Sequence, residues 1–313
     1  MPYILRRTMT FIVTLILVVI MTFVVFRIIP GDPALTILGM DADEALLAAM
    51  KEKLGTDRPL SEQFAQWVKQ MAKGDFGESL KFSRPVLQLI LERLPVTVSI
   101  ALMSIVMALV IAVPLSLLAV KRHGKAADLL ISGWTQLGMA VPSFWLGILL
   151  VLLLGLTFRW FPAGGYVPWS ESPAQALKSL FLPSLAVAIP QVAVIVRYLR
   201  TTLLEQMNQD YVKTAHSKGL RETTVLYKHV LKNALVPVIT VVGMIFADVL
   251  GGSLIIEQVY ALPGLGRLMV SSIGARDFPL VQGMVLFTAF IVILVNFTVD
   301  LLYRVVDPRI RLK

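Results

Sequence analysis

Long apolar runs alternate with polar segments along the chain, and each run is about as long as a bilayer's hydrocarbon core is thick. Membrane-spanning helices are predicted at 9–29, 95–120, 129–158, 180–198, 234–256 and 280–303. The first run could instead be a signal peptide, because Arg6 and Arg7 precede it. It is too long for that, however, and no small-x-small cleavage pattern follows it, so we interpret it as a retained helix.

Lysine and arginine are distributed unevenly among the short segments that join these runs. With a cytoplasmic N-terminus, sixteen of them fall in inner segments and four in the two short outer segments. Basic residues concentrate in cytoplasmic loops. The prediction is therefore an all-α integral membrane protein with six transmembrane helices and both termini in the cytoplasm.

Composition supports a membrane protein and excludes several kinds of site. Hydrophobic residues make up 57% of the chain and charged residues 16%, and the mean hydropathy is +0.77. The net charge of +9 is spread over helix ends, so it does not indicate nucleic-acid binding. There is no cysteine, the three histidines form no ligand pair on one helix face, and no Gly-x4-Gly-Lys-Ser/Thr loop is present. We expect no metal, no cofactor and no ATP site.

The outer segment 31–94 contains two amphipathic stretches. In the first, Asp41-x-x-Glu44 resembles a capping box and Gly55 is a stop. The second follows Ser61 and ends at Gly74. These helices form either a small external cap or a pair lying on the membrane surface. We divide the chain into 1–94, a helix with this external segment, and 95–313, a five-helix core.

Prolines and glycines interrupt several spans. Such residues are tolerated at depth where neighbours or water satisfy the freed backbone groups, so they indicate either ordinary kinks or a gated pathway. They are Pro114, Pro142, Pro190, Gly133, Gly138 and Gly147.

The fifth and sixth spans carry polar and small residues of interest. Gly243, Ala247 and Gly251 form a strip for helix packing. Asp248 lies beside it, and a carboxylate at depth costs about 2.5–3.5 kcal/mol, so it should face a cavity or a partner. Asn296 and Asp300 are expected to join helices or to cap the exit. The candidate pathway or gate residues are Asp248, Glu257, Pro142 and Asn296.

The inner loop 200–233 is far longer than a simple connection needs. Its pattern predicts two short helices around Gly219. They form either a knob that docks into a partner or an amphipathic hairpin on the membrane surface. The candidate coupling residues are Tyr211, Lys213, Thr214, Ala215, Lys218, Gly219, Leu220, His229, Leu231 and Asn233.

This loop resembles the EAA-type coupling loop of ABC importer permeases. Ala215, Gly219 and Leu231 fit the general motif, whereas Lys213 and His229 depart from it. The departures are similar to the dipeptide, oligopeptide and nickel permease branch. Further similarities to that branch lie at 30–33, 74–79, 142–145, 257–266, 276–279 and 307–309.

The resemblance implies a type I ABC importer permease of the bacterial inner membrane. Its expected partners are a homologous second permease, two cytoplasmic ATPases, an extracytoplasmic solute-binding protein and membrane lipid. The implied cargo is a di- or oligopeptide, with a nickel chelate or glutathione as alternatives. A secondary transporter is disfavoured because no inverted repeat is evident, and an intramembrane enzyme because no catalytic motif is found.

Overall fold

The structure, a computed structural model, describes residues 2–28, 38 and 43–306 of the chain. Three features of the sequence analysis lie outside these residues: Asp41 of the capping box, the motif at 30–33 and the closing motif at 307–309. In the described part the regular structure is helical, with one isolated antiparallel bridge between Glu78 and Pro85. The chain is therefore all-α, as predicted.

The helices are numbered here in chain order. They are α1 (Pro2–Ile28), α2 (Glu44–Leu54), α3 (Leu60–Ala72), α4 (Val86–Lys121), α5 (Ala126–Ala140), α6 (Ser143–Leu150), α7 (Pro173–Met207), α8 (Asp210–Ser217), α9 (Glu222–Thr224), α10 (Leu231–Gly252), α11 (Leu254–Val259), α12 (Leu265–Gly274) and α13 (Phe278–Val306). Two π-helical stretches, Val151–Thr157 and Val225–Val230, continue α6 and join α9 to α10.

Five of the described helices are long and apolar enough to cross a membrane, and α5 with α6 makes a sixth crossing if that pair is one span. Several helices run beyond the predicted limits of their spans. Helix α4 begins at Val86 instead of Pro95, and α7 continues to Met207 instead of ending at Tyr198. Hydropathy marks the part of a helix that lies in lipid, whereas the backbone hydrogen bonds continue into the polar regions on either side.

The predicted third span, 129–158, is not one straight helix. It consists of α5 and α6, which meet at an angle of 98°. Pro142 has no N–H and disfavours helical backbone in the preceding residue. Val141 accordingly has extended backbone, with φ −88° and ψ 124°. The sequence left open whether Pro142 would cause only an ordinary kink. In the structure it breaks the span.

The second short helix predicted for the loop 200–233 does not form a separate helix. The backbone after Gly219 enters α9, passes through the π-helical stretch and continues into α10. The break at Gly219 is present, with φ +76°. Only α8 therefore stands as a short helix of its own in the segment 208–221.

The core forms mainly where α4 packs along α7. Both helices contribute small buried residues, which allow two helices to approach closely in a membrane protein. These residues are Ala101, Ala108, Ala112, Ala186 and Ala188. Helix α1 lies at the edge instead: it packs on α13 through Phe11, whose ring centroid is 5.1 Å from that of Phe297, and most of its other side chains are exposed.

Helices α2 and α3 end where glycines were predicted to stop them. Gly55 follows α2 with φ +66°, and Gly74 follows α3 with φ +81°, conformations that favour a residue without Cβ. The apolar side of α3 contacts α1, with the Phe23 ring centroid 5.1 Å from Phe64 and 5.5 Å from Trp67. This side of α3 thus meets protein and not only lipid.

A buried carboxylate joins the segment that follows α3 to the start of α13. Asp277 is 1% exposed. It accepts hydrogen bonds from the Ser79 hydroxyl at 2.5 Å and from the backbone N–H groups of Leu80 and Lys81 at 3.2 Å. Two motifs that are almost two hundred residues apart in sequence therefore form one site.

The Asp277→Ala substitution should weaken this junction, because it leaves the buried Ser79 hydroxyl without its acceptor. A loss of about 2–4 kcal/mol is expected. It would be measured as a lower midpoint of thermal unfolding in detergent and faster tryptic cleavage after Lys69 and Lys73. Asp75→Ala is the matched control, since Asp75 is exposed in the same segment. Equal behaviour of the two variants would contradict the assigned role.

Candidate functional site

The first candidate site is the segment around α8, which two buried side chains hold against the helical body. Val212 and Ala215 are 3% and 7% exposed and belong to the main core cluster. The Tyr211 hydroxyl donates to the Gln206 side-chain oxygen at 2.9 Å. One side of α8 is therefore fixed to the end of α7, and the other is presented outward.

The outward side of this segment is polar and is followed by a left-handed turn. The Leu220 N–H bonds to the Ala215 carbonyl at 3.3 Å and the Gly219 N–H to the His216 carbonyl at 2.9 Å. A glycine in this conformation is a common helix terminator. The space that a Cβ of Gly219 would occupy is open. Of the predicted coupling residues, those exposed are Lys213, Thr214, Lys218, Gly219, Leu220 and Asn233, and Tyr211, His229 and Leu231 are half-buried.

A contact links the π-helical stretch before α10 to α4, the second long helix. The Lys121 ammonium, at the end of α4, donates to the Tyr227 hydroxyl at 3.0 Å and lies 4.5 Å from the ring centroid. Tyr227 belongs to the π-helical stretch between α9 and α10. The stretch that leads into α10 is therefore held to the end of α4.

The second candidate site is a cavity beside the break between α5 and α6. Its volume is about 220 Å³. Residues from three helices, from the break and from the position just after α10 line it: Val141, Ser143, Val187, Pro190, Gln191, Asp248, Val249 and Ser253. The structure thus brings the predicted pathway residue Asp248 to the helix break that Pro142 causes, with three further polar side chains nearby.

Glu257, another predicted pathway or gate residue, is fully buried in a polar cage. Its carboxylate accepts hydrogen bonds from the Thr97 hydroxyl at 2.6 Å and from the N–H groups of Gly266 at 2.7 Å and Arg267 at 3.1 Å. The last two N–H groups lie in the first turn of α12, where a negative charge is favourable. A Cβ at Gly264 would collide with this carboxylate. Glu257 therefore positions α12 and does not face open space.

Asn296, the last predicted pathway residue, lies in a groove between α1 and α13, away from the Asp248 cavity. The groove has a volume of about 220 Å³ and also contains Thr10, Phe11 and Asp300. The Arg7 guanidinium is 3.2 Å from the Asp300 carboxylate. Asp300 joins the two helices, which confirms one of the two roles expected for it.

The predicted packing strip on α10 is only partly used within the chain. A Cβ at Gly243 would collide with Val299 of α13, so this glycine allows the two helices to approach closely. Ala247 is 7% exposed. A Cβ at Gly251 would have nothing within 4 Å, so Gly251 makes no such contact with the described residues.

Sequence reasoning missed an ion-pair cluster between α5 and α7. Asp128 is 3% exposed, and Arg200 reaches its two oxygens at 2.7 and 2.8 Å. His123 Nδ1 lies 3.0 Å from the same carboxylate. An acidic residue in the first turn of a helix is common, so the sequence carried no signal that Asp128 would pair with a residue 72 positions away.

Comparisons with known proteins match nearly the whole chain. Residues 105–312 match the family described as "Binding-protein-dependent transport system inner membrane component", and residues 1–101 match "Binding-prot-dependent transport system membrane comp, N-term". A putative peptide transport system permease protein of Brucella abortus (strain 2308) is 43% identical over 308 residues, which cover 98% of each chain.

Two other relatives are similar over their full length. An oligopeptide transport system permease protein of Bacillus subtilis is 38% identical over 311 residues, with 98% of each chain covered. A glutathione transport system permease protein of Salmonella paratyphi A is 35% identical over 311 residues, with 99% of each covered.

Among solved structures, an inward-facing conformation of the MetNI methionine ABC transporter matches with a TM-score of 0.58. The identity is 17%, and the match covers 71% of this chain and 97% of that chain. At this identity the likeness concerns the fold. The chain therefore belongs to the binding-protein-dependent transport system inner membrane component family and is a multi-pass permease subunit of the inner membrane, not an ATPase.

Proposed function

We propose that this permease carries di- or oligopeptides. The observation that supports it is the 43% identity to a putative peptide transport system permease over 98% of both chains. The oligopeptide permease of Bacillus subtilis supports it further. Glutathione is the second candidate cargo, favoured by the relative from Salmonella. Glutathione is itself a tripeptide, so both candidates share amide, ammonium and carboxylate groups.

As a component of a binding-protein-dependent ABC transporter, the chain works with ATPase and solute-binding partners. We propose a finer composition of two cytoplasmic ATPases, one extracytoplasmic binding protein and a second, homologous permease. Unused packing surface supports the second permease. The small-residue strip of α10 ends at Gly251, where an added Cβ would have no neighbour within 4 Å in the described chain, and such strips serve close helix contact.

We also propose an orientation and a coupling site. The chain lies with both termini and the segment 208–221 in the cytoplasm, in accord with the distribution of lysine and arginine. The contacts agree with this arrangement, because Arg7 near one end of the chain pairs with Asp300 near the other. Helix α8 and Gly219 then receive the ATPases. The exposed polar side of α8, fixed from behind by Val212 and Ala215, supports this role.

The cargo proposal predicts competition between peptides and labelled substrate. In liposomes containing the whole transporter and its binding protein, uptake of a labelled dipeptide should be inhibited by unlabelled di- and oligopeptides. Glutathione at equal concentration should inhibit much less. If glutathione inhibited uptake and the peptides did not, glutathione would become the proposed cargo. If neither glutathione nor the peptides inhibited uptake, both cargo proposals would be rejected.

The orientation predicts which engineered cysteines react from outside intact cells. Gln70→Cys, on exposed α3, should react with a membrane-impermeant maleimide, and Ser217→Cys, at the exposed end of α8, should react only after lysis. The native chain has no cysteine, so it contributes no background. Labelling of Ser217→Cys in intact cells would invert the proposed orientation.

The coupling proposal predicts that Gly219→Val abolishes uptake while the spans remain inserted. Valine strongly disfavours φ +76°, so the turn after α8 should be distorted, although no close contact surrounds it. ATPases should then be lost from the complex or hydrolyse ATP without transport. Uptake into membrane vesicles and co-purification of the ATPases are the measurements.

Gly124→Val is the matched control for this substitution. Gly124 lies between α4 and α5, has φ +72°, and an added Cβ would likewise meet nothing within 4 Å. The two variants therefore carry similar backbone strain. We expect Gly124→Val to retain coupled uptake. Equal loss in both variants, or full uptake and ATPase association with Gly219→Val, would contradict a specific role for the α8 turn.

A further inference from the structure

The Asp248 cavity combines a carboxylate with an interrupted helix. Asp248 lies on the spanning helix α10 and is exposed. Within the described residues no group forms a hydrogen bond or ion pair with it, in contrast to Asp128, Glu257 and Asp277. It is therefore a carboxylate in a spanning helix for which the described part of the chain supplies no partner.

Two independent features require that this cavity does not open onto lipid. A carboxylate in a transmembrane helix that faced hydrocarbon would cost about 2.5–3.5 kcal/mol. The backbone break at Val141 and Pro142, which borders the same cavity, is tolerated at membrane depth only against protein or water. The space beside Asp248 is thus filled by water, by a bound solute or by a partner subunit.

The lining decides which chemical group the cavity can bind. Among the described residues that line it, Asp248 is the only ionisable one. The hydroxyl of Ser143 and the amide of Gln191 add neutral hydrogen-bonding groups. The cavity therefore carries one negative charge and complements a cation with adjoining polar atoms. The amino terminus of a peptide, an ammonium beside an amide, has this chemistry.

We propose that this cavity is a transient binding site on the translocation pathway. Asp248 binds the α-ammonium group of the passing peptide, and Gln191 and Ser143 bind the adjoining amide. This assignment rests on the proposed function for its cargo. At about 220 Å³, the cavity is smaller than the roughly 300–1,000 Å³ typical of small-ligand pockets. It accordingly holds the amino-terminal end of the cargo, and the rest of the peptide extends outward.

The test uses the whole transporter and a Ser143→Cys substitution, since the native chain has no cysteine. Methanethiosulfonate reagents of similar size, one with a trimethylammonium and one with a sulfonate group, are applied with Asp248 present or replaced by Asn. The cationic reagent should react faster, and Asp248→Asn should reduce the ratio of the two rates about tenfold, because one charge attracts the first reagent and repels the second. Asp57→Asn, which removes an exposed carboxylate from the external segment, should leave the ratio unchanged.

Added peptide provides the second measurement. A dipeptide with a free amino terminus, delivered by the binding protein, should slow modification of the Ser143→Cys variant when Asp248 is present and should not when it is replaced by Asn. Reaction with neither reagent would indicate that a partner subunit fills the cavity and would overturn the proposal. The proposal would also be overturned if Asp248→Asn changed neither the ratio of the two reaction rates nor the protection by peptide, or if it left either one unchanged.

Failure of the proposed cargo has a different signature. In that case the transporter with Asp248 would import no peptide and peptide would give no protection, although the cationic reagent still reacted faster in an Asp248-dependent manner. The assignment of the cavity to the ammonium group of a peptide would then be rejected. The result would still support a water-filled cavity that prefers cations.

Discussion

A bilayer interior offers no hydrogen bonds, so each polar group that enters it must be satisfied by the protein or by enclosed water. This constraint organises the molecule. Asp300 pairs with Arg7, Asp128 with Arg200, and Glu257 with Thr97 and two backbone N–H groups. The Arg7–Asp300, Asp128–Arg200 and Thr97–Glu257 contacts join helices that are distant in sequence, so satisfaction of these polar groups also sets how the helices are arranged.

The same constraint distinguishes the parts of the chain that hold the structure from those free to act. Glu257 and Asp277 are completely surrounded, and replacing either should damage the fold near α12 and the start of α13. Asp248, in contrast, has no hydrogen-bond or ion-pair partner among the described residues, and the outward side chains of α8 are exposed. We propose that the cargo binds at Asp248 and that the ATPases bind at α8.

The broken third span lies beside the Asp248 cavity, and the helix after the break is anchored close to Glu257. Pro142 turns the backbone by 98° and leaves a cavity beside Asp248. Gly147, in α6 just after the break, accepts a hydrogen bond on its carbonyl from the buried Tyr260 hydroxyl at 3.0 Å. Helix α6, which borders the cavity, is thereby fixed to the turn that follows α11, the helix that carries Glu257.

Hydropathy and charge by themselves determined that the chain is an all-α membrane protein and where its spans lie, and three glycines, Gly55, Gly74 and Gly219, marked helix ends. These are local properties, since each depends on the transfer of one segment into lipid or on the backbone freedom of one residue. The sequence also marked Asp248 as a carboxylate that must avoid lipid. Only the tertiary structure decided that Pro142 breaks a span, that Glu257 is buried against the first turn of α12, and that Asp128 pairs with Arg200. The reason is physical: a proline kinks or breaks a helix according to its neighbours, and a carboxylate binds whichever donors the fold brings within about 3 Å.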